Sequence, residues 1–407
     1  MKKALIIGAG AQGAVITWVL SRTDDVSEIV LGDIDSKRMA EVVETNGSSK
    51  LKTLKLDASD ISAMVKVMRE GKFDLAINAT LGRFNDNIME ACYEAKTNYE
   101  DMATSGYFPG GDEDKPVAEL KYAAKWEGSG LKALILAGCD AGTTNVLAKE
   151  AADELDEVDS IKMKDYAITE SEKPVILWQP QTYLGDLTSP ATVWDNGYKK
   201  MPIFSGEEEY DFPPPVNARG KVYYHSHEEP LTIPKFIGKP VRYVDFKMGE
   251  PAMMLWKSIS DLHLMSREPI EVDGKKIAPR SVFLKLLPPT PSAKELVRLT
   301  KSGELISRMM VTVDVCGQKA GKDMHYQLWT EGPTATEACE RIPGASDVSY
   351  ATAVSGALFS LMVLRGQVKH AGVFPPEVFT REERETYYKL MREWGIKIHK
   401  RVEVIVG

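Results

Sequence analysis

The sequence predicts an α/β protein: a doubly wound parallel sheet, a second α+β domain inserted after it, and a C-terminal segment that returns to the first sheet. Three observations carry this. Over residues 1–155 short apolar runs alternate with helical patterns, as a sheet covered by helices requires. At the start an apolar run, Leu5-Ile6-Ile7, leads straight into Gly8-Ala9-Gly10-Ala11-Gln12-Gly13, with a helical pattern over 14–22. After about residue 155 the rhythm changes to longer strand-like runs between Pro- and Gly-rich loops, until 350–366 resumes an apolar helical pattern.

The elements follow in order. A second apolar strand, Ile29-Val30-Leu31, ends at Gly32-Asp33. Strand, G-x-G-x-x-G turn, helix and strand, with an acid about twenty residues after the glycines, form the Rossmann dinucleotide-binding fingerprint. Gly8 permits the tight turn, Gly10 lets the backbone approach a pyrophosphate, and Gly13 lets helix and strand pack closely. The helix start at Ala11 and Gln12 offers free N–H groups to phosphates. Asp33 suits the ribose hydroxyls of NAD and repels a 2′-phosphate. If Asp33 is instead a turn residue, Asp35 or Lys37-Arg38 faces the ribose and NADP remains open. Further strands are expected at 54–57, 74–79, 98–101 and 131–136. Helices are expected at 59–70 (capped by Ser59 or Asp60), 86–95, 116–127 and 143–155.

Residues 156–345 form the inserted domain. Strand-like runs at 160–168, 222–225, 242–247 and 308–316 suggest a mostly antiparallel sheet. Pro213-Pro214-Pro215 and Leu287-Pro288-Pro289 must lie in loops. In 346–407, an apolar helix over 350–366 returns to the first domain, an amphipathic helix covers 382–394, and 397–406 reads as an edge strand.

Composition narrows the class. A chain of 407 residues suits two domains, and 43% hydrophobic with 27% charged residues is a globular balance. A net charge of −8 argues against a nucleic-acid partner. Four cysteines without a C-x-x-C pair give neither a zinc signature nor a disulfide framework, consistent with a reducing cytoplasm. The chain enters its first strand directly, with no signal-peptide pattern. The nearly apolar run 350–364 falls short of the about 20 residues a membrane span needs, so a buried helix is expected.

In a doubly wound sheet, ligands bind at the carboxyl ends of the strands. Four such ends are legible: the glycine loop, Asn78-Ala79-Thr80 under the cofactor, Tyr99 to Ser105, and Cys139-Asp140-Ala141-Gly142. Tyr99, Asp101, Cys139 and Asp140 are therefore candidates to meet a substrate. Each also has a structural reading: Tyr99 and Cys139 as packing residues, Asp101 and Asp140 as caps. In His225-Ser226-His227-Glu228-Glu229-Pro230, an extended backbone would place both imidazoles on one face. A proton relay or substrate contact is favoured over a metal site, which lacks a third ligand at recognisable spacing, and a structural turn before Pro230 is the other reading. Arg242, with Lys235 and Lys247, is a candidate clamp for a substrate carboxylate, with a plain surface position as the equal alternative for Arg242.

Taken together, the glycine fingerprint, Asp74-Leu75-Ala76-Ile77-Asn78-Ala79, Asn98-Tyr99-Glu100-Asp101, Cys139-Asp140-Ala141-Gly142-Thr143-Thr144-Asn145, the His225–Glu229 run and Ser349-Tyr350-Ala351-Thr352 resemble the saccharopine dehydrogenase-like family. The family includes saccharopine reductase, carboxynorspermidine dehydrogenase and lysine 6-dehydrogenase. The resemblance implies a Rossmann domain interrupted by a substrate and dimerisation domain, hence a homodimer. It also implies nicotinamide-linked chemistry at a CH–NH bond of an amino-acid or polyamine derivative. Substrate contacts map onto Asp101, Asp140, His227 and Arg242. Two departures stand out. Ala141 occupies a place where the family usually has Pro, and Gly32-Asp33 replaces the basic or hydroxyl pattern of NADPH-driven members. The second points to NAD and to the oxidative direction. A synthase using bound NAD as an internal hydride carrier and a non-catalytic dinucleotide sensor are the alternatives.

Overall fold

The computed structural model describes residues 1–105 and 117–406. Six strands follow one another in the first part: β1 (Lys2–Ile7), β2 (Val26–Asp33), β3 (Leu51–Lys55), β4 (Leu75–Asn78), β5 (Asn98–Asp101) and β6 (Lys132–Leu134). They pair in parallel in the order β6-β5-β4-β1-β2-β3. The winding direction reverses between β1 and β4, which opens a crevice beyond their carboxyl ends. β1 and β4 are covered on both sides, so they read as unbroken apolar runs rather than as alternation.

The C-terminal segment completes this sheet. Strand Gly372–Phe374 pairs in parallel with β6 as a seventh strand. Helix Asp347–Leu364 packs against helix Ala11–Ser21 within one core that runs from Ala4 to Ile396. It is long and apolar enough to cross a membrane, but 89% of its length is buried inside the protein. Being covered all round, it has no polar face.

The second sheet has nine strands. Two central ones, Glu157–Ser171 and Leu305–Lys319, pair antiparallel along nearly their whole length. Val241–Gly249 runs parallel to Glu157–Ser171, so the sheet is mixed although most of its pairs are antiparallel. One of its faces, carrying Ile161, Met163, Val313 and Val315, packs on helix Thr143–Glu154. That contact seats the second domain over the crevice.

Several expectations shift. The strand expected at 54–57 lies at Leu51–Lys55: it is an edge strand with almost every residue solvated, so no alternation marks its start. Asp60, not Ser59, caps the next helix by accepting from the Ala63 N–H, while the Ser59 hydroxyl bonds Asp57. The helix expected at 116–127 divides into a 3₁₀ turn at Ala118–Tyr122 and a short helix at Ala123–Glu127, and Pro116 lies outside the described residues. The final strand, Lys397–Val404, pairs with Lys322–Glu331 and so belongs to the second sheet. The last segment therefore serves both domains rather than returning only to the first.

Candidate active site and cofactor cleft

A cleft of about 800 Å³ runs from the glycine loop across the strand ends to the second domain. Its dinucleotide end is built from backbone. Gly8 has φ +111°, and a Cβ there would lie 2.5 Å from the Ala79 carbonyl oxygen. A Cβ on Gly13 would lie 1.8 Å from the Gly8 oxygen, so the helix can sit this close only with glycine. A Cβ on Gly10 would meet nothing, which is the open approach a pyrophosphate needs. No side chain caps the helix beginning at Ala11, and its first turn carries no acid. The N–H groups near Ala11 and Gln12 and the positive end of the helix dipole therefore suit phosphates.

Asp33 sits at the end of β2. Its Oδ2 accepts the Ala9 N–H at 2.6 Å and its Oδ1 accepts the Asp35 N–H at 2.8 Å. It thus braces the glycine loop while lining the cleft. Asp35 caps the next helix, and Arg38 also lines the cleft. Asn78 is a spacer beneath the cofactor position: its Oδ1 accepts from the Thr80 N–H and hydroxyl, and its Nδ2 donates to Asn85 at 2.7 Å. These residues fit a nicotinamide dinucleotide, which when bound supplies or accepts a hydride.

The substrate end is acidic. Asp101, Asp140, Asp186 and Glu228 line it together with His227, and no Lys or Arg among the described residues does so. His227 follows strand Ala218–Tyr224 and stacks on Phe246 with centroids 4.0 Å apart. Its Nδ1 lies 2.6 Å from Glu229 Oε2, and Glu229 Oε1 accepts the Thr144 hydroxyl at 2.8 Å. Thr144 belongs to the helix that starts beyond Asp140, so one chain of bonds ties the second domain to the fourth strand end. Burial opposes a charged His227, but Glu229, Glu228 and Asp140 outweigh it and hold the imidazole well above its usual value. Burial pushes Asp140 up to about 7, although His227 pulls it back. Asp140 Oδ2 is buried with no hydrogen-bond partner among the described residues.

Asp140 does not cap the following helix: Gly142 is the N-cap, and the Asn145 side chain accepts its N–H. The two histidines part company. The strand stops at Tyr224, and His225 is buried against no acid, so burial drives it down to about 3. The other candidates are placed as follows. Asp101 borders the cleft but accepts from the Leu136 N–H at 2.8 Å and from Asn85, so it braces two strand ends. Tyr99 is wholly buried in the core, its hydroxyl taken by Asn78. Cys139 is buried against Met309, Val311 and Val348 outside the cleft, and burial pushes its thiol up. Arg242 is no clamp: it lies exposed outside the cleft in a two-pronged bond to Asp159, at 2.7 and 3.0 Å. Lys247 is bound to Glu208 at 2.8 Å and also lies outside the cleft. Sequence reasoning missed Glu229's partnership with Thr144, which joins residues 85 positions apart, and missed Asp186 entirely. Among the described residues His227, Glu228 and Glu229 alone offer clustered metal-ligand atoms, but the imidazole there is already committed to Glu229.

Fold and site together define a nicotinamide-dependent oxidoreductase. The comparisons agree. Residues 4–146 match the family model described as the saccharopine dehydrogenase NADP binding domain, and residues 138–396 match the saccharopine dehydrogenase C-terminal domain. The chain belongs to the saccharopine dehydrogenase family. It is 29% identical to carboxynorspermidine synthase of Vibrio cholerae over 92% of this chain and 91% of the relative. It is 26% identical to carboxyaminopropylagmatine dehydrogenase of Synechocystis over 100% and 98%. Apo saccharopine dehydrogenase (L-Glu forming) of Saccharomyces cerevisiae shares the fold, with a TM-score of 0.72 at 15% identity over 99% of this chain and 100% of that one. The chain is an NAD(P)-dependent oxidoreductase acting on a polyamine or amino-acid derivative.

Proposed function

We propose that this enzyme uses NAD to oxidise the CH–NH bond of an amine-rich amino-acid or carboxylated polyamine derivative, with Asp140 as the base. The observation that carries this is Asp140 Oδ2: a buried carboxylate oxygen without a hydrogen-bond partner among the described residues, in the wall of the cleft, beside the His227–Glu229 pair.

A hydride leaves a carbon only when the attached amine is neutral, because the nitrogen lone pair drives it out. An amine of pKa about 10 costs roughly 4 kcal/mol to deprotonate at pH 7. Asp140, pushed up to about 7 by burial, is poised to take that proton at neutral pH. His227, held in its charged form by Glu229, sits beside Asp140 and favours its ionised form. The acidic lining attracts a cationic substrate, and the names of both relatives describe amine-bearing molecules. Asp33 supports NAD: a 2′-phosphate would bring like charge against its carboxylate, a cost of about 4 kcal/mol at 4 Å and an effective dielectric of 20.

Absorbance at 340 nm should be followed with NAD and with NADP against lysine, saccharopine and carboxynorspermidine. NADH formation with one of them is expected. Faster turnover with NADP would overturn the reading of Asp33. Silence across the panel with cofactor still bound would favour an internal hydride carrier or a dinucleotide sensor.

A further inference from the structure

We infer that Asp186 and Trp178 form a subsite for a second ammonium group of the substrate, remote from the carbon that loses hydride. The inference deepens the function proposed above and rests on it for the identity of the reaction, but the subsite can be tested without turnover.

Asp186 lies on helix Pro180–Leu187, in the second domain, and lines the cleft with Trp178 just before that helix. Among the described residues its carboxylate takes no hydrogen bond and no ion pair. The charges of His227 and then Arg280 offset its burial only in part, and Glu228 works against them. Arg280 is buried and donates to the Leu184 carbonyl, the Thr188 hydroxyl and the Gln181 carbonyl, each at 3.0 Å. A guanidinium at the carboxyl end of a helix satisfies its orphan carbonyls and its dipole. Arg280 therefore locks the helix in place, and its charge compensates Asp186 only in part. A carboxylate whose burial outweighs its compensating charges costs the folded protein energy, and a cationic ligand lowers that cost.

Two more features mark a ligand subsite. Ser226, 4% exposed and in the cleft wall, has a hydroxyl with no hydrogen-bond partner among the described residues. Trp178, half-buried in the same wall, offers an aromatic face, to which an ammonium group is drawn as well. The reacting nitrogen is served by Asp140 on the first domain, and the remote ammonium by Asp186 on the second. The separation between the two acids would then select chain length.

The test is calorimetric titration of the NADH-loaded protein with α,ω-diamines of three to five carbons. The wild type is expected to bind one length best. Asp186→Asn should weaken that binding at least tenfold with NADH affinity unchanged, Asp186→Glu should restore part of it, and Trp178→Leu should weaken it several-fold. Because burial holds Asp186 up at about 8, the folded state gains from protonation, and that gain is lost as pH rises from the unfolded value toward 8. Ligand-free Asp186→Asn should therefore melt above wild type at pH 9, by more than at pH 5, which a purely structural role would not produce. Equal diamine affinity in wild type and Asp186→Asn would overturn the inference. So would parallel loss of NADH and diamine binding. An enzyme that turns over its substrate yet binds no diamine would sink the subsite and leave the function standing. Asp186-dependent diamine binding in a protein that turns over none of the panel would do the reverse.

Discussion

Replacing Glu229 with Gln tests the pairing at the heart of the site. The change keeps shape and the Thr144 contact but removes the charge opposite His227. The His227–Glu229 contact is 2.6 Å long, with side-chain exposures of 13% and 0%. A hydrogen bond to a charged group in such a setting is worth about 1.5–3 kcal/mol. At 1.36 kcal/mol per unit, the His227 pKa should fall by about one to two units. Glu229 does not line the cleft, so NADH affinity should hold. The chain has only 6 histidines, so the imidazole proton resonances can be followed singly through a pH titration. The oxidation rate at neutral pH should drop about tenfold to a hundredfold, below most of the about 10²–10⁴ of a group that transfers the proton itself, because Glu229 acts through His227. Stability carries its own sign. His227 is raised in the folded state, so the pair's contribution is full below the unfolded value and fades as pH rises through the folded one. The melting deficit of Glu229→Gln should accordingly be largest near pH 6 and shrink in alkali. An unmoved His227 titration, with a rate loss equal at all pH, would refute this reasoning.

Other expectations concern the two ends of the cleft. Asp140→Asn should cost about 10²–10⁴ in kcat and abolish the acidic limb of the pH–rate profile. In wild type that limb should fall away as pH drops below about 7, where Asp140 becomes protonated. Gly13→Ala would push a methyl group to 1.8 Å from the Gly8 oxygen, so NADH fluorescence titration should show binding weakened at least about tenfold as the loop is displaced. Arg242→Ala should leave kcat/KM within about twofold, since the side chain is exposed and is paired with Asp159 outside the cleft.

Local chemistry was legible; tertiary pairing was not. The glycine loop could be read because each glycine answers a backbone constraint within one βαβ unit. Asp140 and His227 could be nominated because strand ends and a run of His and Glu are local patterns. The bond from Thr144 to Glu229, the partner of His227, spans 85 residues and exists only once helix Thr143–Glu154 packs on the second sheet. Arg242 misled because its suitability for a carboxylate is met by Asp159, on the neighbouring strand. Tyr99 and Cys139 sit at the right strand ends but point into the core, a matter of side-chain direction that sequence position does not settle. Asp186 gave no signal at all: it is an ordinary acid in a short helix until Arg280, 94 residues on, is seen to spend its donors elsewhere.

The central claim is that hydride passes between a carbon bearing nitrogen and the nicotinamide. The most direct measurement uses a substrate from the panel deuterated at that carbon, incubated with NAD, and mass spectrometry of the nicotinamide product. The account predicts reduced dinucleotide carrying one deuterium. Reduced dinucleotide without the label, or deuterium recovered only in the substrate-derived product, would contradict it.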